Sequence, residues 1–501
     1  MWRSKTAVLG CSLLGLLLSL AAVGSVQGQS LGTKVSNAIK SAIKQVTQKP
    51  PAKPQPAKPP TKTEPTKAQP TTNLFAQKTL PNGLQIVVVE NHLYPIVTVD
   101  YVAKNGSYTE SEEFAGLSHL YEHMFFKKNR VIPSEDDFNE RNRELGMSNN
   151  ASTHEEMVEY HFTMPAENLD AGMQFMSYAI ESPAFDSGDI EREREVVLGE
   201  FDRDEADPYF ALSRATDSAM WGAQLVRKEP LGQRPVIKGA TPPKMFAIEH
   251  KFYIPNNSAI LISGDVKPET VYKLVEKYLG TWQRGPNPFP KYSPPLFPPL
   301  QKKLIMREAP DVPTVSINLT YFGPSIGRDN KNTYAADLFS TIVNNSTSQL
   351  YKRLIDGGLA MQFSMNYYTQ QNVGPIMISL VTTPENAGAA LADLNSEIKK
   401  WTSPDYYTDE ELQNAKEQLA VTRLYEQENP TSFLVNSVSF AWAVTGLDYY
   451  DHYIDNVRRL TKKDLNDYLN KYIEGQNYVL GIAASKENLA KLNFKPEEVL
   501  Q

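Results

Sequence analysis

The 501-residue chain holds a single cysteine, Cys11. The remainder can form neither a disulfide nor a thiolate metal site, so any metal must be held by histidine and carboxylate. Positive charge is not in excess either: 51 Lys and Arg stand against 58 Asp and Glu, a net charge of −7. That balance gives no electrostatic basis for gripping a nucleic-acid backbone, which is met by clustered Lys and Arg. No glycine-rich phosphate loop follows a strand-like segment, so a nucleotide cofactor is not indicated. With 41% apolar and 22% charged residues, the composition is that of a globular protein, not of a disordered, collagenous or polytopic membrane chain. Histidine is scarce, with seven in all: His92, His119, His123, His154, His161, His250 and His452.

What is present first is an export pattern. Residues 1–28 combine a basic start (Arg3, Lys5), an apolar stretch from about Thr6 to Val23 and a small-residue exit at Val26-Gln27-Gly28, as in a secretory signal peptide, with a periplasmic or secreted destination. An uncleaved membrane anchor is one alternative and lipidation at Leu9-Gly10-Cys11 another, although that cysteine comes early for a lipidation box. Residues 29–73 follow as a basic amphipathic segment and a spacer. Leu31, Val35, Ile39, Ala42, Ile43 and Val46 recur at helical spacing among Lys34, Lys40 and Lys44, a short basic amphipathic helix that reads as a weakly structured tail or as a weak contact with a membrane surface or a partner. Lys49 to Pro70 carries eight prolines and five lysines, too polar and too proline-rich to pack a core.

A second proline-rich stretch, 285–299, holds seven prolines and separates 74–284 from 300–501. The two parts are laid out alike. Each opens on β-type segments (Gly83–Val89 and Thr98–Ala103; Pro313–Tyr321), passes into helices, and closes on a β segment followed by a helix (Ala259–Gly264, then Pro268–Leu279; Tyr478–Ala483, then Lys486 onward). The expectation is an internal duplication of an α+β unit.

The chemistry is densest in Gly116-Leu-Ser-His119-Leu-Tyr-Glu122-His123-Met-Phe-Phe126. In a helix, His119 and His123 are one turn apart on one face and can turn imidazole nitrogens to one ion. Glu122 lies near that face, where it can reach a water beside the ion without being a ligand. Zinc lowers the pKa of such a water from about 15.7 to about 7, and a carboxylate can take its proton. A catalytic zinc needs a third protein ligand. The acidic segment Asp189–Glu200 offers several, among them Glu193 and Glu200 on nearly one face, and composition does not choose between them.

These motifs, with Thr79-Leu-Pro-Asn-Gly-Leu84, Asn150-Ala-Ser-Thr153, Val158-Glu-Tyr160, Met164–Leu169, Tyr253–Asn257 and the 76 residues between His123 and Glu200, resemble the pitrilysin (insulinase-type) family of zinc peptidases. The two-part length is similar to the zinc-bearing subunit of mitochondrial processing peptidase and its bacterial relatives. The resemblance implies that each half folds as an antiparallel sheet backed by helices, and that the chain binds one Zn²⁺. It makes 74–284 the catalytic domain and 300–501 a peptidase-like domain without zinc. It implies His119, His123 and Glu200 as ligands, Glu122 as general base, Glu193 as a supporting carboxylate, and Asn150 and Ala151 on or beside an edge strand that pairs with an extended peptide or unfolded segment.

Active relatives also draw an Arg and a Tyr from a second-half domain to hold substrate and stabilise the oxyanion. Here Ile355 and Met361 stand at those places, and neither can donate a side-chain hydrogen bond. The resemblance therefore implies a partner, a homologous subunit without zinc that supplies the pair. A different class of function is a non-catalytic structural or peptide-binding member of the family. His154 and His161 superficially resemble a second metal cluster, and the reading prefers a strand from Met157 to Met164 with His161 facing the same way as Glu159. Trp401, Trp442, Tyr406, Tyr407, Tyr449 and Tyr450 read as core aromatics.

Overall fold

In the computed structural model, residues 74–289 and 297–492 are described. The export segment, the amphipathic stretch and the spacer lie outside the described residues, as does the middle of the 285–299 stretch. Among the described residues, eleven strands form two sheets. The first comprises β1 (Ala76–Thr79), β2 (Gln85–Glu90), β3 (Ile96–Ala103), β4 (Ser148–Thr153), β5 (Val158–Pro165) and β6 (Ser258–Gly264), in the order β1-β2-β6-β3-β5-β4. The second comprises β7 (Leu304–Glu308), β8 (Val315–Phe322), β9 (Gln362–Tyr367), β10 (Pro375–Thr382) and β11 (Tyr478–Ala483), in the order β7-β11-β8-β10-β9.

Matching β7 to β2, β8 to β3, β9 to β4, β10 to β5 and β11 to β6 reproduces the first order without β1. The duplication expected from layout is thus a duplication of topology. The expectation of purely antiparallel sheets is corrected: both are mixed, with β2 parallel to β6 and β11 parallel to β7. The reason is geometric. In each half the closing strand inserts between the first two long strands, which run in opposite directions, so it must be parallel to one of them and antiparallel to the other.

β1 was not legible as a strand. It pairs with β2 through the Leu80–Leu84 turn, where Gly83 adopts φ 94° and a Cβ would stand 2.7 Å from Asn256 Cβ. Only glycine fits there, which gives the Thr79–Leu84 motif its structural content.

Helices back one face of each sheet. In the first half they pack on Val97, Val99, Tyr101, Tyr160 and Phe162; in the second, the Asn330–Asn344 helix and its neighbours pack on Ile317, Leu319, Ile376 and Ile378. The opposite faces are covered crosswise. Phe433, Leu434, Val438 and Trp442 of the second half lie on Val87, Val89, Val102 and Leu261 of the first sheet. The Phe210–Trp221 helix of the first half lies on the second sheet, with Met220 and Trp221 against Val479 and with Phe297 of the proline-rich stretch. Covering both faces explains why β2 and β6 are apolar at successive positions and do not alternate. The six aromatics read as core residues, Trp401 and Trp442 among them, are all buried.

Polar groups are trapped in this crosswise packing. Asp100 on β3 and Glu159 on β5 are fully buried on the covered face; the Ser439 hydroxyl of the second half donates to Asp100, and Thr98 and Thr431 hydroxyls meet at 2.7 Å. His161 Nδ1 lies 2.9 Å from Glu159 Oε2. Burial pushes the Glu159 carboxyl from 4.5 up to about 8 and raises Asp100 well above its ordinary value. A carboxyl that holds its proton more tightly when folded favours the fold most below its unfolded pKa, where both forms are protonated, and least above its folded pKa, where the buried group must ionise. Its contribution therefore declines as pH rises from about 4.5 toward 8. The urea midpoint should fall across that interval, and Glu159→Gln should flatten the fall; an unchanged pH slope in that variant would show that the carboxyl carries no such linkage.

Candidate metal centre

The zinc-motif segment is helical over Leu117–Phe125. Gly116, at φ 90°, begins it and has no side chain to cap it. The cap comes from Glu110, whose two carboxylate oxygens each accept a backbone N–H, from Gly116 and from Ser118, at 2.7 Å. Gly116 also lies close to Gly232; a Cβ on either would collide with the other's backbone. Leu117, Leu120, Tyr121, Met124 and Phe125 anchor the buried face, and this leaves His119, Glu122 and His123 directed toward the neighbouring helix and strand.

That helix, Ser187–Glu205, is started by Asp186, whose side chain accepts from Gly188 and Asp189 N–H groups. Ile190, Val197, Leu198 and Phe201 bury one side of it, and the same packing carries Glu193 and Glu200 to the two histidines. His119 Nε2 and His123 Nε2 are 3.2 Å apart, and Glu200 Oε2 is 3.4 Å from the first and 3.7 Å from the second. For ligand bonds of about 2.0–2.1 Å, a tetrahedral ion separates its ligand atoms by about 3.3–3.4 Å. The triangle present matches that edge length. Among the described residues it is the one group of three such ligand atoms gathered within 4.8 Å.

Electrostatics support the same fit. Burial, with smaller contributions from His123 and Arg203, drives His119 down to about 3, which leaves its imidazole neutral. Two imidazole lone pairs and a carboxylate oxygen at this spacing repel one another unless a cation or a shared proton lies between them, and the nitrogen-rich donor set suits zinc better than calcium or magnesium.

Behind His123, its Nδ1 lies 2.8 Å from Glu193 Oε1, while Glu193 Oε2 receives Lys127 Nζ at 2.7 Å. Burial alone would raise Glu193; the hydrogen bonds from His123 and Lys127 overcome it and hold the carboxyl below its ordinary value. Glu122 accepts a hydrogen bond from Thr153 Oγ1 at 2.7 Å on one oxygen, Oε2, and burial raises its pKa against the pull of His123 and of that bond.

Asn150 and Ala151 lie on β4, which pairs with β5 on one side and ends the sheet on the other. Asn150 is exposed and Ala151 is buried. His161 and Glu159 share a face of β5 as the alternation required. Ile355 is half-buried against the second core and Met361 is 60% exposed. Arg353 is engaged within its own half by Asp393 and, at 3.5 Å, by Glu397. Sequence reasoning missed the roles of Glu110, Lys127 and Thr153. Thr153 is 31 residues from Glu122, and only strand pairing brings it there.

Two family descriptions match the chain: "Insulinase (Peptidase family M16)" over residues 85–232 and "Peptidase M16 inactive domain" over 241–419. A probable zinc protease PqqL of Haemophilus influenzae is 26% identical over 307 residues, covering 58% of this chain and 32% of that protein. A probable mitochondrial-processing peptidase subunit beta of Arabidopsis thaliana is 26% identical over 201 residues, covering 40% of this chain and 37% of that one. Both matches thus span well under two thirds of those proteins' length. The solved first half of the periplasmic protease PqqL from Escherichia coli is 18% identical with a TM-score of 0.73, covering 86% of this chain and 96% of that one, a likeness of fold.

A carboxylate that orients a ligating imidazole tunes metal affinity without contacting the ion. Glu193→Gln should therefore weaken zinc binding about 10- to 100-fold in a competition titration against a chelator. Unchanged affinity would remove Glu193 from this role.

Proposed function

Since the chain belongs to the M16 (insulinase/pitrilysin) peptidase family, we propose that it is an exported zinc metallo-endopeptidase acting on extended peptides or unfolded segments, as the catalytic subunit of a heteromeric peptidase. The observation that carries this reading is the convergence of His119 Nε2, His123 Nε2 and Glu200 Oε2 with Glu122 alongside. In this reading 74–284 is the catalytic domain, 285–299 a linker and 300–501 a peptidase-like domain without a zinc site.

His119, His123 and Glu200 hold one zinc per chain, which when bound supplies Lewis acidity toward water and a peptide carbonyl. Glu193 fixes the His123 ring by accepting from Nδ1, so that Nε2 keeps its lone pair. Glu122 is the general base. With Oε2 occupied by Thr153, its Oε1 takes the proton of the attacking water and passes it to the leaving amine. The β4 edge around Asn150 and Ala151 pairs with the substrate backbone, which satisfies main-chain groups of any sequence and admits only extended chains.

The export reading is supported by the amino-terminal pattern and by the periplasmic description of the Escherichia coli relative; an uncleaved anchor is its alternative. Among the described residues, no helix is long and apolar enough to cross a membrane. The heteromeric reading is supported by Ile355 and Met361 standing where relatives carry Arg and Tyr, by Arg353 being engaged elsewhere, and by the Arabidopsis relative being a named subunit.

Glu122→Gln should keep about one zinc per chain by elemental analysis while peptide hydrolysis falls about 10²-fold or more. Glu200→Gln should instead lose zinc first; a Glu122→Gln protein that loses its metal would make Glu122 a ligand and reverse the assignment. A metal-free wild type would favour the structural reading of the family.

Preorganised oxyanion donors are worth about 10²- to 10³-fold in rate. The purified chain should bind zinc yet hydrolyse peptides slowly until mixed with a homologous subunit carrying the Arg and Tyr. Full activity proportional to the concentration of the chain alone, and abolished by His119→Ala, would refute the two-subunit model and leave the zinc chemistry standing.

A further inference from the structure

The second half contributes no side chain to the metal cluster as described, yet a group of its polar contacts with the first half gathers on one turn beside the base. The β4–β5 turn, His154–Met157, starts one residue after Thr153. Within it, Glu156 accepts three hydrogen bonds from the second half: Gln371 N at 3.0 Å, Asn372 N at 3.2 Å and Asn372 Nδ2 at 3.1 Å. Tyr368 donates its hydroxyl to Glu155 at 3.1 Å. Lys228 of the first half reaches into the same β9–β10 loop, Tyr368–Gly374, and donates to Asn372 O at 2.7 Å, to Val373 O at 2.9 Å and to the Gln370 side chain.

The loop is therefore held by its N–H groups through Glu156 and by its carbonyls through Lys228. Val373 sits at φ 58°, a conformation costly for a β-branched residue unless its surroundings impose it. From the other side, Ser107 N–H and Tyr108 N–H bind the turn's backbone at His154 O and Glu155 O, 3.4 and 2.8 Å away. Partly burying Lys228 and Glu156 in a contact between halves is a costly way to gain adhesion, which apolar side chains supply at lower cost. Charged groups with fixed partners do give a defined register, and this register is set at the end of β4, where Thr153 meets Glu122.

We propose that Glu156, gripped by the Tyr368–Gly374 loop, is a positioning residue for the base: it holds the β4–β5 turn so that Thr153 keeps Glu122 aimed at the metal cluster. The proposal rests on the reading of Glu122 as general base. It assigns the second half a share in catalysis that needs no contact with substrate or metal. The chain of contacts runs from the loop through Glu156 to the turn, from the turn to Thr153, and from Thr153 to Glu122.

Two measurements on the full chain test it, using Glu156→Gln and the milder Tyr368→Phe. In the metal-free protein, amide hydrogen exchange should quicken at 153–157 as well as at 368–374; quickening confined to 368–374 would overturn the coupling. In the zinc-loaded protein with its activating partner, Glu156→Gln should lower kcat about 10-fold, the scale of one lost hydrogen bond to a charged group, with KM and zinc content unchanged. In a Thr153→Val background the same substitution should cost little more. A loss of equal size in that background, or a rise in KM at constant kcat, would also overturn the proposal. If no preparation of the wild type hydrolyses peptides, the catalytic reading fails, while the exchange result still decides whether loop and turn are coupled.

Discussion

Three electron-rich atoms facing one another at 3.2 to 3.7 Å, two imidazole nitrogens and a carboxylate oxygen, are a repulsive arrangement without a cation or a shared proton among them. The local structure exists to hold them there. Two helices supply the three atoms, and each helix is pinned by means that have nothing to do with metal: Glu110 caps the first, Asp186 starts the second, and both bury an apolar side in the same core. The cost of convergence is therefore met by ordinary packing before any ion arrives, as preorganised sites require. The outer contacts follow from the same demand, with Glu193 and Lys127 fixing the His123 ring and Thr153 fixing Glu122.

Rigidity at this scale depends on the crosswise cover of the sheets. Each half lends a helical segment to the outer face of the other's sheet, so neither sheet has a wet face along its central strands. The consequence is visible in the buried Asp100 and Glu159, and in the half-buried Lys228 and Glu156 that bond a loop of the second half. A chain of this length with a duplicated topology could have folded as two independent beads. Instead the second half, which has no metal cluster among its described residues, completes the first.

Much of this was legible without coordinates, for reasons that can be stated residue by residue. His119 and His123 are four apart, and helical geometry alone puts them on one face. The Pro268–Leu279 helix and the Tyr478–Ala483 strand begin and end where their proline, glycine and β-branched residues imply. The alternation of β5 placed Val158, Tyr160, Phe162 and Met164 on the helix-backed face and His161 with Glu159 on the opposite one, as found, although that face too is covered and Glu159 is buried there. The mixed character of the sheets was not legible, because the insertion of β6 between β2 and β3 is a relation among strands far apart in sequence. β1 was hidden by its four-residue length and by a turn whose glycine reads as a loop.

By itself, the sequence determined what depends on neighbours along the chain: the helical pair of histidines with its glutamate, the apolar periodicities, the repeated layout, and the absence of thiol ligands. Tertiary structure decided which carboxylate of the acidic helix faces the histidines and which lies behind them, since Glu193 and Glu200 are nearly equivalent by helical angle and differ only in what the packed helix brings near. It likewise decided that Thr153 touches Glu122 and that a loop of the second half grips the adjoining turn. Contacts between residues tens to hundreds of positions apart are set by how sheets and helices close on a common core, and no local pattern encodes them.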